Sequence, residues 1–499
     1  MNSKSKYIRI SQSLKIKNWL IKQLIVAVIV MSSLILPSSC KKFVEIEPPV
    51  TSISGAGVYN LDATAIAVLT GIYANLSSRS NYGIGIGDLA TLSLSAGLSA
   101  DEFTLYSGVS NTKYIAYYRN NLTSAKDGFE FWNSIYSYIF TCNSAIEGLN
   151  NSSSLTPSVK QQLLGEAKFM RAFFYFYLAN LYGDVPLILN TDYKVNAALA
   201  RSPKAQVYLQ IIADLKDAQD LLTAFYVNGV INNTAERVRP NKWAATALLA
   251  RAYLYTNDWA NAEAQATAII SNTNLYSLTT LNSTFLKNSS ESIWQLQPVN
   301  SGWNTEDAKV FNLFSTPVGL SNTKPAYLSS TLLNSFEVND KRLINWVGKY
   351  TDTTPNPDVD YYFPYKYKSA TNGLIVSEYL MVFRLAEQYL IRSEARAQQG
   401  NISDATSDLN AIRFRAGLPN TAATTQSSLL TAIQHERQIE LFSEWGHRWL
   451  DLKRLNSIDS VMNVVCTQKG GTWDKKWQLY PIYIGDIQKD NNLTQNPGY

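Results

Sequence analysis

Hydrophobic residues recur at helical spacing over much of this 499-residue chain. Ile66, Leu69, Tyr73 and Leu76 fall three or four apart, and so do Trp132, Tyr136, Ile139, Asn143 and Ile146, so each run predicts a helix with one face on a core. From about 157 to 182 the pattern is apolar nearly all round, with Phe169, Phe173, Phe174, Phe176, Tyr177 and Leu178, which predicts a helix buried on most sides. Gly183 ends it, Pro186 prevents its continuation, and Ser202-Pro203 is expected to open the next helix as N-cap and first-turn proline. Between about 272 and 377 the helical period lapses into Asn, Ser, Thr, Tyr and Trp, so this interval reads as short strands and long loops inserted into a helical scaffold. Long loops in a compact fold are often functional.

An internal repeat supports the helical reading. Residues 250–262, ARAYLYTNDWANA, align with 393–405, SEARAQQGNISDA: small residues at Ala252 and Ala395, a tight polar turn, then Ala262 and Ala405 where a second helix packs on the first. The spacing resembles a tetratricopeptide repeat, in which small residues let paired helices approach closely.

The first 40 residues change the picture of where the chain resides. Lys4, Lys6, Arg9, Lys15, Lys17 and Lys22 precede a run from Leu24 to Leu36 that is apolar apart from Ser32 and Ser33, and Pro37-Ser38-Ser39 then leads into Cys40. Thirteen residues ending in a proline and two serines are too few for a membrane span, which needs about 18, and read as a signal peptide over 1–39. The junction resembles a bacterial lipobox, with Pro37 where leucine is usual, so Cys40 is the expected lipid attachment site and 40–58, with Pro48-Pro49, an extended lipidated tether. Six basic and no acidic side chains leave with the leader, so the formal charge of +5 becomes −1. The mature chain then offers no electrostatic case for nucleic acid. Only Cys142 and Cys466 remain, too few for a disulfide framework, and Cys142 lies in an apolar helical pattern as a buried thiol.

Catalytic and cofactor signatures are missing from the sequence. His435 and His447 are twelve residues apart, about 120° around a helix, and His435-Glu436 lacks a histidine four residues on, so no metal site is expected. Gly83-x-Gly85-x-Gly87 has neither the helix nor the lysine of a phosphate loop and reads as a flexible turn; no cofactor is expected. Asp101-Glu102 could in principle serve a glycosidase, but adjacent carboxylates are more simply solvated or salt-bridged.

Four segments together carry a family resemblance: ERQIELFSEWGHRWLDLKR at 436–454, EAKFMRAFFYFYLANLYGDVPLI at 166–188, the WxxxYxxIxxxN pattern from Trp132 to Asn143, and LYPIYIGDIQKDNNLTQNPGY at 479–499. In the first, helical spacing sets Arg437 between Ile433, Leu441 and Trp445, with Glu440 as its expected partner and Glu444–Arg448 as a further pair. These segments resemble the SusD/RagB family of outer-membrane nutrient-binding lipoproteins, with Tyr483 where the family often has proline. The resemblance implies a mainly α fold: a tetratricopeptide-like scaffold of about four helix pairs and an irregular loop-rich half with short strands, forming one domain over 59–499. It implies a non-enzymatic lipoprotein facing the cell exterior, which passes oligosaccharides to a SusC-like TonB-dependent transporter. Peptides or another nutrient are the alternative cargo, and a secreted glycoside hydrolase is argued against by the lack of an acid–base set. Glu166, Arg171, Arg437, Glu444, Arg448, Trp449 and Asp451 carry over as core salt bridges and packing, not ligand contacts.

Sugars present apolar C–H faces that stack on aromatic rings. Loop aromatics in polar surroundings are therefore the binding candidates: Trp303 in PVNSGWNTED, Tyr82 and Tyr106. Trp294 and Trp132 lie in apolar patterns and belong to the core, whereas Tyr361-Tyr362-Phe363 could serve either role.

Overall fold

The computed structural model of the chain describes residues 57–78 and 91–499, with Trp19 and Gln23 besides. The expectations for the signal peptide, Cys40, most of the tether, Tyr82 and the Gly83–Gly87 run lie outside the described residues.

Helices dominate. After α1 (Asp62–Ser77), α2 (Leu92–Ser99) and α3 (Thr112–Arg119) come eight helices that each pack on the next: α4 (Glu130–Asn151), α5 (Pro157–Tyr182), α6 (Lys204–Leu221), α7 (Lys242–Tyr255), α8 (Trp259–Ile270), α9 (Leu385–Gln398), α10 (Ile402–Arg415) and α11 (Gln426–Glu440). Among them α7 with α8 and α9 with α10 are the pairs that the internal repeat predicts, and α12 (His447–Arg454) and α13 (Ile458–Gln468) follow. The repeat falls at equivalent joints, α7 to α8 and α9 to α10. Asn257 and Gly400 take left-handed φ values of 58° and 82° there, and the Asp258 and Asn401 side chains accept the Asn261 and Asp404 N–H groups as N-caps. Ala262 and Ala405 are fully buried, as close helix approach requires.

Every residue of α5 from Phe169 to Tyr182 is buried, because α1, α4, α6 and α7 all pack on it. A polar group so placed must be paired. Arg171 meets Asp214 at 2.7 Å and donates to Asn143 Oδ1 at 2.9 Å, while Asn143 Nδ2 donates to Ile188 O at 3.0 Å. Glu166 accepts from Arg239 at 2.6 Å, Tyr73 at 2.8 Å and Gln162 at 3.0 Å. The tryptophan-to-asparagine motif thus serves packing and a buried ion pair. One boundary differs from expectation. A short helix, Tyr193–Asn196, comes first after α5, and α6 starts at Lys204 with Pro203 as its N-cap residue; Asp184 Oδ1 accepts the Lys204 N–H at 2.8 Å, while Ser202 pairs with Val185 in a β-bridge.

Between α8 and α9 lie short strands, short helices and loops. β2 (Ser292–Leu296) pairs antiparallel with β6 (Leu380–Arg384), and β4 (Val347–Asp352) with β5 (Val359–Pro364). β3 (Ala326–Leu328) pairs with β1 (Phe103–Leu105), which comes from the segment between α2 and α3. Trp294 on β2 is fully buried against Tyr73, Phe169 and Phe173, and Trp132 is buried too, as their apolar contexts predict.

The 436–454 signature differs from expectation in its partners. α11 ends at Glu440 and α12 begins at His447, so Trp445 does not continue the face of Ile433. Arg437 pairs with Asp451 at 2.8 Å, not with Glu440, and Arg448 with Asp101 at 2.7 Å, not with Glu444. Glu440 instead meets Arg342 at 2.9 Å, Arg384 at 2.5 Å and Arg415, and Glu444 meets Arg384 at 2.8 Å and Lys366 at 2.5 Å. The segment staples the helical end to the loop-rich half, which is structural work, as the resemblance implies.

Candidate functional site

The loop-rich half presents a row of partly exposed tyrosines drawn from separate elements. Thr104 and Tyr327 face each other across the β1–β3 pair, and Tyr118 of α3 lies beside Thr104. The rings of Tyr327 and Tyr361 meet edge to face at 5.0 Å. Tyr361 stands directly across from Tyr350 in the β4–β5 pair, so the two share one face. Burial raises the Tyr361 phenol above its usual range, and Asp352, Tyr106 and Tyr350 nearby add to that shift. The phenols of Tyr118 and Tyr327 are likewise raised, burial being the main cause. Alternation within the strand resolves the Tyr361-Tyr362-Phe363 cluster: Tyr361 joins the row, Phe363 is buried against Phe314, and Tyr362 packs on the core.

Of the sequence-predicted residues, Tyr106 and Trp303 border the same loop, 313–325. Tyr106 follows β1; its N–H donates to Pro325 O at 2.7 Å, its ring folds over Gly108, and Ser110 N–H binds Asn322 Oδ1 at 2.8 Å. Trp303 is half-buried just before the short helix Glu306–Phe311, which Thr305 caps. The Lys309 ammonium sits 4.6 Å from its ring centroid and pairs with Glu306 at 2.6 Å. A pocket of about 220 Å³ lies against Trp303, walled by Lys309, Thr316, Pro317, Thr323 and Lys324. Lys324 is buried and fixes the loop from inside: its ammonium donates to Ser315 Oγ at 2.8 Å, Pro317 O at 2.7 Å and Ser315 O. Burial lowers its pKa to about 8. The far side of the loop carries Tyr350, whose hydroxyl lies 2.9 Å from where a side chain on Gly319 would begin.

These groups can stack and hydrogen-bond a ligand, and they hold no pair suited to acid–base hydrolysis. Glycoside cleavage needs one carboxyl kept protonated near neutral pH. The carboxylates beside the row are both held below their ordinary range, Asp352 by hydrogen bonds from Thr354 and Asp360 by those from Lys349 and Thr351. Glu102 is raised into the near-neutral range, to about 8, by burial and the Asp101 charge, but it and Asp101 are 1% and 2% exposed and so out of a ligand's reach, and Asp101 is paired with Arg448. His447 is buried and held neutral, and His435 binds Ser335 O at 2.8 Å. Among the described residues no cluster of His, Cys, Asp and Glu is arranged to hold a metal. Sequence reasoning missed Tyr118, Tyr327 and Tyr350. The period-two pattern of Val359–Pro364 could have singled out Tyr361, but pairing between segments more than 200 residues apart, as between β1 and β3, leaves no local signal.

Comparison with known proteins places this geometry in context. The SusD family matches residues 190–499, and a family described as starch-binding, associating with outer membrane, matches 72–254. SusD-like protein P2 of Formosa agariphila is 27% identical over 91% of this chain and 96% of its own length. A solved SusD superfamily protein of Parabacteroides distasonis superposes with a TM-score of 0.73 at 23% identity, covering 87% of this chain and 99% of its own. Surface glycan-binding protein A from Bacteroides uniformis superposes with a TM-score of 0.71 at 20% identity, covering 87% and 99%.

Proposed function

The chain belongs to the SusD family, and from that premise we propose that it binds oligosaccharides at the cell surface and hands them to a partner TonB-dependent outer-membrane transporter, without chemistry of its own. The observation that carries the reading is the tyrosine row that shares the 313–325 loop with Trp303: rings from α3, β3, β4 and β5 offer stacking faces, and the phenols offer hydrogen bonds. The glycan-binding name of the Bacteroides uniformis neighbour and the outer-membrane description of the matched family support it. The Lys324 contacts hold the 313–325 loop in place before ligand arrives, which lowers the ordering cost of binding.

In the same reading residues 59–499 act as one binding domain, tethered through 40–58 to a lipid on Cys40 that faces the exterior. Cys40→Ala should release the protein from membranes; a variant that keeps its acyl label and stays in the pellet after a carbonate wash contradicts the anchor. The binding claim is tested on a combined glycan and peptide array. Glycan binding that weakens in Tyr361→Ala and Trp303→Ala supports it, peptide binding alone assigns the site to another nutrient, and release of reducing ends from a bound glycan makes the protein a hydrolase.

A further inference from the structure

A cavity of about 680 Å³ lies on the helical half, where α4 meets the segment 186–199 and the C-terminal residues 486–493. None of its lining residues belongs to the Trp303 pocket. Trp132 and Tyr136 of α4 are its buried and half-buried rings, edge to face with centroids 4.8 Å apart. Phe140, one turn further along α4, and Tyr193 of the short helix are 54% and 74% exposed, so two large rings border the opening uncovered. The walls are fixed in advance. Tyr136 donates to Pro186 O at 2.8 Å, Asn143 Nδ2 to Ile188 O at 3.0 Å, Asn196 Nδ2 to Asn190 O at 2.9 Å and Asn492 Nδ2 to Ala198 O at 3.0 Å, while Glu147 accepts the Thr191 N–H at 2.8 Å. These carbonyls are already engaged by side chains, which leaves a peptide few backbone groups to pair with. The lining instead offers side chains: the Asn133 amide on the exposed face of α4, Asp486, and Asp490, one oxygen of which accepts the Asn492 N–H. The ammonium of Lys489 stands 3.9 Å from Asp486, so two carboxylates against one cation leave the lining net negative.

We propose that this cavity is a second saccharide site, for a short uncharged oligosaccharide; the inference rests on the carbohydrate reading above. The apolar C–H faces of the sugar would cover Phe140 and Tyr193, and Asn133, Asp486 and Asp490 would take its hydroxyls. An amide beside carboxylates supplies both the donors and the acceptors that neighbouring hydroxyls need. The volume lies within the roughly 300 to 1,000 Å³ of small-ligand sites. Like-charge repulsion from the negative lining disfavours uronates and sulfated sugars. Such a site would keep a short glycan at the cell surface while the tyrosine row is occupied.

Maltotriose, laminaritriose and xylotriose are the probes, with trigalacturonate as the charged control and a lysine–phenylalanine tetrapeptide as the peptide control. Each is titrated calorimetrically into the wild type and into a double variant, Trp303→Ala with Tyr361→Ala, that disables the first site. At least one neutral trisaccharide should still bind the double variant, and adding Tyr193→Ala or Phe140→Ala should weaken that binding tenfold or more. Both rings are exposed, so the added substitutions should leave the melting temperature unchanged. The proposal is overturned if no neutral trisaccharide binds the double variant, or if binding there is indifferent to both rings. It is overturned equally if trigalacturonate or the tetrapeptide binds that variant more tightly than the neutral sugars do. Failure of the wider carbohydrate reading looks different: then no saccharide binds the wild type, whereas failure here leaves wild-type binding that the double variant loses.

Discussion

Arg448 pairs with a buried carboxylate, which assigns it an expected role in stability. It donates to the buried Asp101 at 2.8 and 2.7 Å, and the pair ties α12 to the segment after α2. Removing one partner of a buried pair strands the other and can cost about 3 to 5 kcal/mol. Arg448→Ala should therefore lower the melting temperature while the affinity of the remaining folded protein is kept; an unchanged melt with lost binding would move Arg448 into the site. Glu102 next to it gives a pH test. Its folded pKa of about 8 stands above the 4.5 of an unfolded chain, so from about pH 4.5 upward the unfolded state sheds a proton that the folded state keeps. The wild type should thus lose stability relative to Glu102→Gln as pH rises through that window. Parallel melting curves for the two proteins from pH 4.5 to 8 would contradict it.

At the scale of elements, the joint between α11 and α12 separates what was legible in the chain from what was not. The spacing of Ile433, Leu441 and Trp445 reads as one continuous helical face, yet the helix stops at Glu440. The carbonyls that would extend it are taken by cations from far along the chain: Glu440 O accepts from Lys366 at 2.9 Å and Arg384 at 2.7 Å, and Phe442 O from Lys366 at 2.8 Å. Ser443, Trp445 and Gly446 then adopt left-handed φ. No local pattern announces partners 56 to 76 residues away. The same physics hid the ion pairs, because spacing favours neighbours on one helix whereas burial favours whichever opposite charge the fold brings near. By contrast α5 and the two repeat joints were readable, since all-round apolarity and Asx caps are local properties. Gly446 should be the most sensitive position of the joint: at φ 72° a side chain would stand 2.8 Å from Ala96 Cβ, so Gly446→Ala should reduce thermal stability, and a melt equal to wild type would show that the joint relaxes.

The whole molecule divides its labour between a helical scaffold that is predictable from period and a loop-rich surface that is not. Family motifs lie in the scaffold, where Arg171, Glu166 and Arg437 are buried and paired. The proposed binding surface joins the local β4–β5 pair to the β1–β3 pair, whose strands lie more than 200 residues apart, so the sequence pointed to Trp303 and Tyr106 one by one and not to the row as a whole. A row of half-exposed rings from several elements should bind cooperatively, with each ring contributing a part. This row and Trp303 form the proposed glycan site. Stacking is worth about 0.5 to 1.5 kcal/mol beyond the area buried, so losing one ring should weaken affinity tenfold or more, as about 1.4 kcal/mol requires. The decisive measurement is calorimetric titration of the cognate glycan into wild type, Trp303→Ala and Tyr361→Ala, with a thermal melt of each. A glycan site at this row should show at least a tenfold loss of affinity in both variants with nearly unchanged melting temperatures; wild-type affinity in both, or a large fall in melting temperature in place of a binding defect, would rule that site out.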